Sequence, residues 1–296
     1  MTTAANPIPA FDPRIAPSRM TRTFLWSVRR ELMEHRSIYL APLIVTGLFL
    51  IGFCISPHVD PAYNHKLMAS FDIAAGFIMG AAFLVAVFYS LEALHSERRD
   101  RSILFWKSMP VSDLTTVLSK ATVPIVILPL ISFVLTVLTQ WAMLLFASAA
   151  LLAHRLPVAP LWTEVSFLHN SLGLLSHLIL IHGLWYAPIW AFLLLVSAWA
   201  RRAPVLWAAL PVLAIAGGEK IAFNTSRFLN LLGERISGGG SDVPFTKGSM
   251  TTDSMDSSMD LNFLHFLLSP GLWIGLFLAA AFLYAAIQIR QRRSPL

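Results

Sequence analysis

The sequence predicts an all-α, polytopic membrane protein with six transmembrane helices, and three observations support this fold class. Hydrophobic residues occupy 56% of the 296 positions, while charged residues occupy only 13%. Soluble domains carry about 25% charged residues. The mean hydropathy is +0.66. The apolar residues also form six long runs, and the lysines and arginines gather at the ends of these runs, as they do in membrane proteins.

The charge and cysteine content exclude several other classes of protein. The net charge of +6 does not indicate nucleic-acid binding, because the basic residues lie at the ends of apolar runs and form no single face. The only cysteine, Cys54, lies inside an apolar run. One cysteine excludes a disulfide framework and a cysteine zinc site.

The N-terminal segment divides into a leader and a helix. Residues 1–17 are proline-rich and predict a disordered cytoplasmic leader without a cleavable signal peptide. Residues 18–296 are predicted to form a single membrane domain. Within residues 18–36 one helical stripe is apolar, and the remaining surface is basic. This pattern predicts an amphipathic elbow helix in the cytoplasmic interface, with an ordinary surface helix as the alternative. The stripe consists of Phe24, Leu25, Val28 and Leu32.

Six apolar runs follow, and five of them are at least about as long as one membrane crossing requires. The run at 121–153 is too long for one straight crossing, and Pro124 and Pro129 are predicted to break or kink its first turns. The run at 203–218 is short and contains Pro204 and Pro211. The predicted spans are residues 38–56, 71–94, 121–153, 173–200, 203–218 and 271–289.

The distribution of basic residues predicts the orientation of these spans. With a cytoplasmic N-terminus, about sixteen of the 22 lysines and arginines lie in the inner segments and about six in the outer ones. The positive-inside rule therefore places both termini and the loop at 95–120 in the cytoplasm.

An outer insertion at 219–270 separates the last two spans. Residues 219–236 have apolar residues at helical spacing, residues 238–260 read as a flexible loop, and residues 261–268 form a short apolar run. Two short elements beside a span are compatible with a re-entrant pair and equally with a flat outer cap.

Motifs for several kinds of chemistry are absent. The sequence contains no phosphate-binding loop, no H-E-x-x-H and no G-x-S-x-G. His177 and His182 are five residues apart, about 140° around a helix, which disfavours a shared metal site. Polar residues at membrane depth are functional candidates, with packing roles as the alternative. On this ground Gln140, His177 and His182 are candidates for a substrate path.

The cytoplasmic loop at 95–120 combines charge with large apolar residues. Such a surface fits protein docking, although the aromatic residues fit the bilayer interface as well. The candidate docking residues are Glu97, Arg98, Asp100, Arg101, Leu104, Phe105, Trp106, Lys107, Met109 and Pro110.

Residues 89–120 resemble the permease subunits of ABC exporters of the ABC-2 family. The resemblance lies in a span that ends in an acidic residue, then Glu-Arg, an acidic-basic step, an Ile-Leu-Phe-Trp core and a Ser-x-Pro-Val-Ser turn. In this sequence these are Glu92, Glu97-Arg98, Asp100-Arg101, Ile103-Leu104-Phe105-Trp106 and Ser108-Met109-Pro110-Val111-Ser112. The layout of an elbow helix, six spans and an outer insertion before the last span extends the resemblance along nearly the whole chain.

The resemblance implies a permease subunit of an ATP-driven exporter in a bacterial inner membrane. The loop would form a coupling helix that docks on a separate ATPase subunit, and two permease copies would form the transporter. ATP and Mg²⁺ would bind the ATPase, with no cofactor on this chain. Phe105 and Trp106 would fill a pocket, and Arg98, Arg101 and Lys107 would meet acidic groups at its rim.

The same resemblance gives the end of this loop a structural role. Pro110 would end the coupling helix, and Ser112 or Asp113 would cap the helix of the next span. The alternatives are a self-contained secondary transporter and an intramembrane enzyme. The charged mid-span residues of the first and the clustered catalytic residues of the second are not evident in the sequence.

Overall fold

The computed structural model describes residues 16–55, 63–100, 111–164, 167–237 and 266–292. All the regular secondary structure in these ranges is helical. The α-helices are α1 (Ala16–Glu34), α2 (Ser37–Ile55), α3 (Tyr63–Glu92), α4 (His95–Arg99), α5 (Asp113–Thr122), α6 (Leu128–Ala153), α7 (Ala159–Glu164), α8 (Phe167–His177), α9 (Ala187–Trp199), α10 (Pro204–Phe223), α11 (Arg227–Ile236) and α12 (Pro270–Arg292).

Five helical segments are long and apolar enough to cross a membrane. A bent pair, Ser171–Trp185 with Ala187–Trp199, brings the number to six when the pair is counted as one span. The predicted all-helical membrane fold is confirmed at this level. The other five segments are Ser37–Ile55, Ala69–Arg99, Asp113–Ala153, Pro204–Phe223 and Pro270–Arg292.

Of the break or kink predicted at its prolines, the structure shows no break, because the third span is one continuous helical segment. It runs for 41 residues from Asp113 to Ala153, roughly 60 Å at the rise of an α-helix. Between α5 and α6 the backbone takes a π-helical turn at Val123–Ile127, and this turn contains Pro124. Proline has no N–H to donate, and a wide turn accommodates it without ending the helix.

Three hydroxyl side chains on α6 are satisfied within the helix itself, whereas the buried hydroxyl of Thr136 has no partner among the described residues. Ser132, Thr139 and Ser148 donate to the carbonyl oxygens of Leu128, Leu135 and Leu144, four residues earlier, at 2.6–2.9 Å. A polar group without a partner costs several kcal/mol in the hydrocarbon region. The back-bonds therefore let polar residues lie in a span.

The fourth span bends in its middle. Helix α8 passes into a π-helical segment at Leu178–Trp185, and α9 then departs at 44°. Pro188 lies in the first turn of α9, where a missing N–H costs nothing.

The fifth span is longer than the predicted 203–218, and the outer helix is correspondingly shorter than 219–236. Helix α10 continues to Phe223 and ends at Asn224, whose φ of 50° is left-handed. Glu219 stays in α10, and its carboxylate accepts from the backbone N–H groups of Arg227 and Phe228 at 2.7 and 2.8 Å. This carboxylate takes the role of a cap for α11, whose residue before the first turn provides no side-chain cap.

The core is built around α3, α9 and α12. Trp190 of α9 is buried against the ring of Phe83 on α3, with ring centroids 5.1 Å apart. Helices α9 and α12 pack along most of their length. Helix α10, in contrast, has no buried residue and lies at the edge of the bundle.

Several predicted features lie outside the described residues. These are most of the leader, the Ile-Leu-Phe-Trp core of the loop within 101–110, and residues 238–265 of the outer insertion.

Candidate functional site: a buried charge cluster beside the loop

The helices on both sides of residues 101–110 are held to the rest of the bundle by polar contacts. Helix α4 precedes this stretch, and α5 follows it. Ser112 caps α5 by accepting from the N–H of Thr115 at 3.1 Å, which decides between the two predicted caps. Asp113 instead pairs with Arg290, with Nε and Oδ1 2.8 Å apart.

Glu31 of α1 is the first centre of the polar contacts. Its Oε1 lies 2.9 Å from Nζ of Lys120 on α5 and 2.6 Å from Nη2 of Arg30. The hydroxyl of Tyr89 on α3 donates to Oε2 at 2.9 Å. A carboxylate of α1 thus joins the second and third spans.

Glu97 of α4 is the second centre. Its Oε1 lies 3.2 Å from Lys120 Nζ and 3.1 Å from Arg30 Nη2, and its Oε2 lies 2.5 Å from Nη1 of Arg290 on α12. The carboxylate therefore contacts cations from α1, α5 and α12. We call the six residues Arg30, Glu31, Glu97, Asp113, Lys120 and Arg290 the charge cluster.

The charge cluster is balanced and mostly buried. It contains three carboxylates and three cations, and the side chains of Glu31, Glu97, Lys120 and Arg290 are at most 5% exposed. Burying charges is costly unless each is paired. Burial opposes the ionisation of Glu31, but the charges of Lys120 and Arg30 outweigh it and hold the pKa of this carboxyl below its usual value.

A second set of contacts joins α4 to the end of the fourth span. Arg98 donates through Nη1 to the carbonyl oxygens of Ala198 and Ala200 at 2.6 and 3.4 Å. The hydroxyl oxygen of Ser197 accepts from the N–H groups of Leu94 and His95, each at 3.0 Å. Helix α4 is therefore fixed to α9 as well as to α1, α5 and α12.

These contacts change the interpretation of two predicted docking residues. Glu97 and Arg98 are buried and contact other helices of this chain, so they are not positioned to meet the rim of a partner. A side chain that receives three internal charge contacts cannot also face outward. Asp100 is exposed beside Arg99, 3.1 Å away. The remaining docking candidates, Arg101, Leu104, Phe105, Trp106, Lys107, Met109 and Pro110, lie outside the described residues.

The predicted path residues belong to two neighbouring parts of the bundle. Gln140 is buried on α6, which packs against the π-helical segment that contains His182. The ring of His182 meets the edge of Tyr186, with centroids 5.2 Å apart. His177 is the last residue of α8. The contacts described for Gln140 and His182 fit packing roles.

Sequence reasoning missed Glu31, Lys120 and Arg290 as members of one site. In the sequence, Lys120 and Arg290 are two of the basic residues in the inner segments, and they were interpreted only as signals of topology. Glu31 carried the useful signal, because it lies three residues after Val28 on the apolar stripe of α1. An acid on a stripe that faces the core requires an internal cation.

At the opposite end of the bundle Arg235 joins three elements. It donates to the carbonyl oxygens of Trp185 and Gly271 at 2.9 and 3.0 Å, and its guanidinium lies 4.0 Å from the centroid of the Trp185 ring. Tyr186 donates to the carbonyl oxygen of Ile236 at 2.7 Å. These bonds fix α11 to the bend of the fourth span and to the start of α12.

The charge cluster joins α4 and α5 to other helices of the bundle, and its carboxylates lie beside close cations. Among the described residues no group of three His, Cys, Asp or Glu side chains could hold a metal ion. What the arrangement can do is carry a displacement of residues 101–110 into α1 and into the second, third, fourth and last spans.

Comparisons of the chain with models of known protein families, with curated proteins and with solved structures found no match.

Proposed function

We propose that this chain is the membrane-spanning permease subunit of an ATP-driven ABC exporter of the ABC-2 type. In this proposal the chain is embedded in a bacterial inner membrane, and the energy for transport comes from a separate ATPase subunit in the cytoplasm. The resemblance of residues 89–120 to that family names the function. The observation that carries it is the attachment of α4 and α5, on either side of residues 101–110, to every span except the first and fifth.

In this proposal, force passes from the ATPase to the membrane helices through residues 101–110. A loop that receives motion from an ATPase must be joined stiffly to the membrane helices, because a flexible joint would absorb the displacement. The charge cluster and the Arg98 contacts provide such joints on the N-terminal side of the loop. Asp113 and Lys120 provide them on the C-terminal side.

The finer features of the family belong to the same proposal. Helix α1 acts as the interfacial elbow helix, since the large side chains of Leu25 and Trp26 are exposed there beside several arginines. Residues 101–110 carry the coupling helix, and both termini are cytoplasmic. A second permease copy, identical or related, completes the membrane part, and the substrate passes between the two copies.

Purification from the native membrane tests this function. The solubilised chain should carry with it a protein of about 25–35 kDa that hydrolyses ATP, a size expected from the family resemblance. The chain separated from that protein should hydrolyse no ATP, because it has no phosphate-binding loop. ATP turnover by the isolated chain, or a complex that contains no ATPase, would contradict the proposal.

A further inference from the structure

An open cleft of about 620 Å³ lies beside the charge cluster and shares no residue with it. It is formed by the end of α3, by α4 and by the turn between α9 and α10. One part of its wall is apolar, and another part contains three arginines and one acid, Glu92. The residues that matter here are Phe88, Leu91 and Val205 on the apolar side, and Arg99, Arg201 and Arg202 on the cationic side.

Two of the three arginines in the cleft have no ion-pair partner among the described residues. Arg99 lies 3.7 Å from Glu92 and 3.1 Å from Asp100. Arg201 and Arg202 are exposed, and neither forms a hydrogen bond or ion pair with any residue that the structure describes. Two adjacent guanidinium groups are therefore available to an anion, and guanidinium is well matched to phosphate oxygens.

The start of α10 adds to this positive potential. Ala203 precedes the helix with a left-handed φ of 47° and has no side chain that could accept from the first-turn N–H groups. Val205, in that first turn, lines the cleft. Pro204 has no N–H, and the N–H groups of Leu206 and Trp207 donate to the carbonyl oxygen of Ala203, so the N–H of Val205 is the first-turn donor left for an anion at the start of this 20-residue helix.

Aromatic residues place the cleft at the level of lipid headgroups. Trp199 and Trp207 flank the turn, pack edge to face with centroids 4.6 Å apart, and are each 40% exposed. Tryptophan is enriched where membrane and water meet. From this level Phe88 and Val205 present exposed apolar surface along the spans.

We propose that this cleft binds the phosphate group of an anionic phospholipid. Arg201, Arg202 and the start of α10 contact the phosphate, and an acyl chain lies along Phe88 and Val205. Basic pockets between membrane helices bind anionic headgroups in this way. The proposal requires only a chain embedded in a membrane, so it does not depend on the exporter function. A soluble phosphate compound offers the same charged group without the acyl chain.

Lipid titration of the full-length chain, followed by native mass spectrometry, tests the proposal. The chain is purified in a neutral detergent and titrated with phosphatidylglycerol or with phosphatidylcholine. The wild type should bind phosphatidylglycerol at least about tenfold more tightly than it binds phosphatidylcholine. The double variant Arg201→Ala/Arg202→Ala should bind it roughly thirtyfold more weakly than the wild type, since each arginine near the phosphate contributes about fivefold.

Two further variants separate charge at this position from charge in general. Arg201→Lys/Arg202→Lys keeps both charges and should recover most of the affinity. Arg36→Ala/Arg292→Ala removes the same charge from exposed positions outside the cleft and should bind as the wild type does. Equal binding by the cleft alanine variant and the wild type would overturn the proposal, as would an equal loss in the control.

Competition with inorganic phosphate and glycerol 3-phosphate distinguishes the two sources of phosphate. Neither compound should displace phosphatidylglycerol at matched concentration, because neither contacts the apolar wall. Displacement at matched concentration would assign the cleft to a soluble phosphate compound and overturn the lipid assignment. The comparison of the two lipids and the two solutes on the wild type needs no variant, so it stands even if a substitution prevents folding.

Discussion

At the residue scale, Glu97 is a central carboxylate of the charge cluster. Its carboxylate meets Arg30, Lys120 and Arg290, which belong to three different helices. Replacing a carboxylate by an amide would leave buried cations without full compensation. Removing one partner of a buried charge pair commonly costs about 3 kcal/mol or more.

We therefore predict that Glu97→Gln lowers the free energy of unfolding by about 3 kcal/mol. The measurement is unfolding in mixed micelles with increasing sodium dodecyl sulfate. Glu234→Gln, at an exposed position on α11, is the control and should change little. Equal unfolding midpoints for wild type and Glu97→Gln would show that the cluster does not stabilise the bundle.

Glu31 predicts how stability depends on pH. Its carboxyl has a pKa below the usual value of 4.5, so the stability that it contributes is present above about pH 4.5 and is lost as the pH falls toward the lowered value. The groups that face it are Arg30, His35, Tyr89, Lys120 and Glu97.

The wild type should accordingly exceed Glu31→Gln in melting temperature at pH 7, and this difference should narrow below about pH 4.5. Thermal unfolding of both proteins between pH 7 and pH 3.5 provides the measurement. Glu234→Gln, at an exposed position on α11, is the control and should show no such trend. A constant difference at every pH would mean that Glu31 is not ionised in the folded protein.

At the element scale, the contact between Arg235 and α12 depends on a glycine. A Cβ atom at Gly275 would overlap the guanidinium of Arg235, which is held by Trp185 and Gly271. The Arg235 side chain can move only by giving up these bonds. Hydrogen bonds to a charged group contribute about 1.5–3 kcal/mol each.

Gly275→Ala should therefore destabilise the protein by about 2 kcal/mol in the same micelle assay. Gly47→Ala, on α2 with no atom within 4 Å of the added methyl group, should be neutral or stabilising. In an Arg235→Ala background the cost of Gly275→Ala should disappear. A cost that persists there would place the conflict elsewhere.

The helices themselves were largely predictable, because long apolar runs and basic ends are strong signals. The local backbone geometry was less predictable. Pro124 predicted a break or a kink, and the structure has a π-helical turn there without a break. Glu219 was assigned to the outer helix, yet it caps that helix from the end of α10. Arg30 and Arg290 lie 67 and 193 positions from Glu97 in the sequence, and a single sequence does not show which cation meets which acid.

At the scale of the whole molecule, the proposed orientation of the chain in the membrane predicts which positions water-soluble reagents reach. In a Cys54→Ala background, cysteines at positions 103 and 292 should react with an impermeant maleimide only from the cytoplasmic side. A cysteine at position 250 should react only from outside. Labelling of position 250 from the cytoplasm would contradict the proposed topology of six spans with both termini inside.

The central claim is that residues 101–110 dock an ATPase, and Trp106 is the residue on which it depends most. Cutting a buried aromatic anchor to alanine typically costs about 2 kcal/mol or more, which weakens binding roughly thirtyfold. Trp141→Ala is a matched control, since Trp141 lies on α6 far from the loop and is 42% exposed.

The direct measurement is the amount of ATPase that co-purifies with wild type, Trp106→Ala and Trp141→Ala at matched expression and membrane insertion. The account predicts that Trp106→Ala loses the ATPase, or retains it with hydrolysis uncoupled from transport, while Trp141→Ala behaves as the wild type. Equal ATPase recovery with Trp106→Ala, together with unchanged transport, would contradict the account.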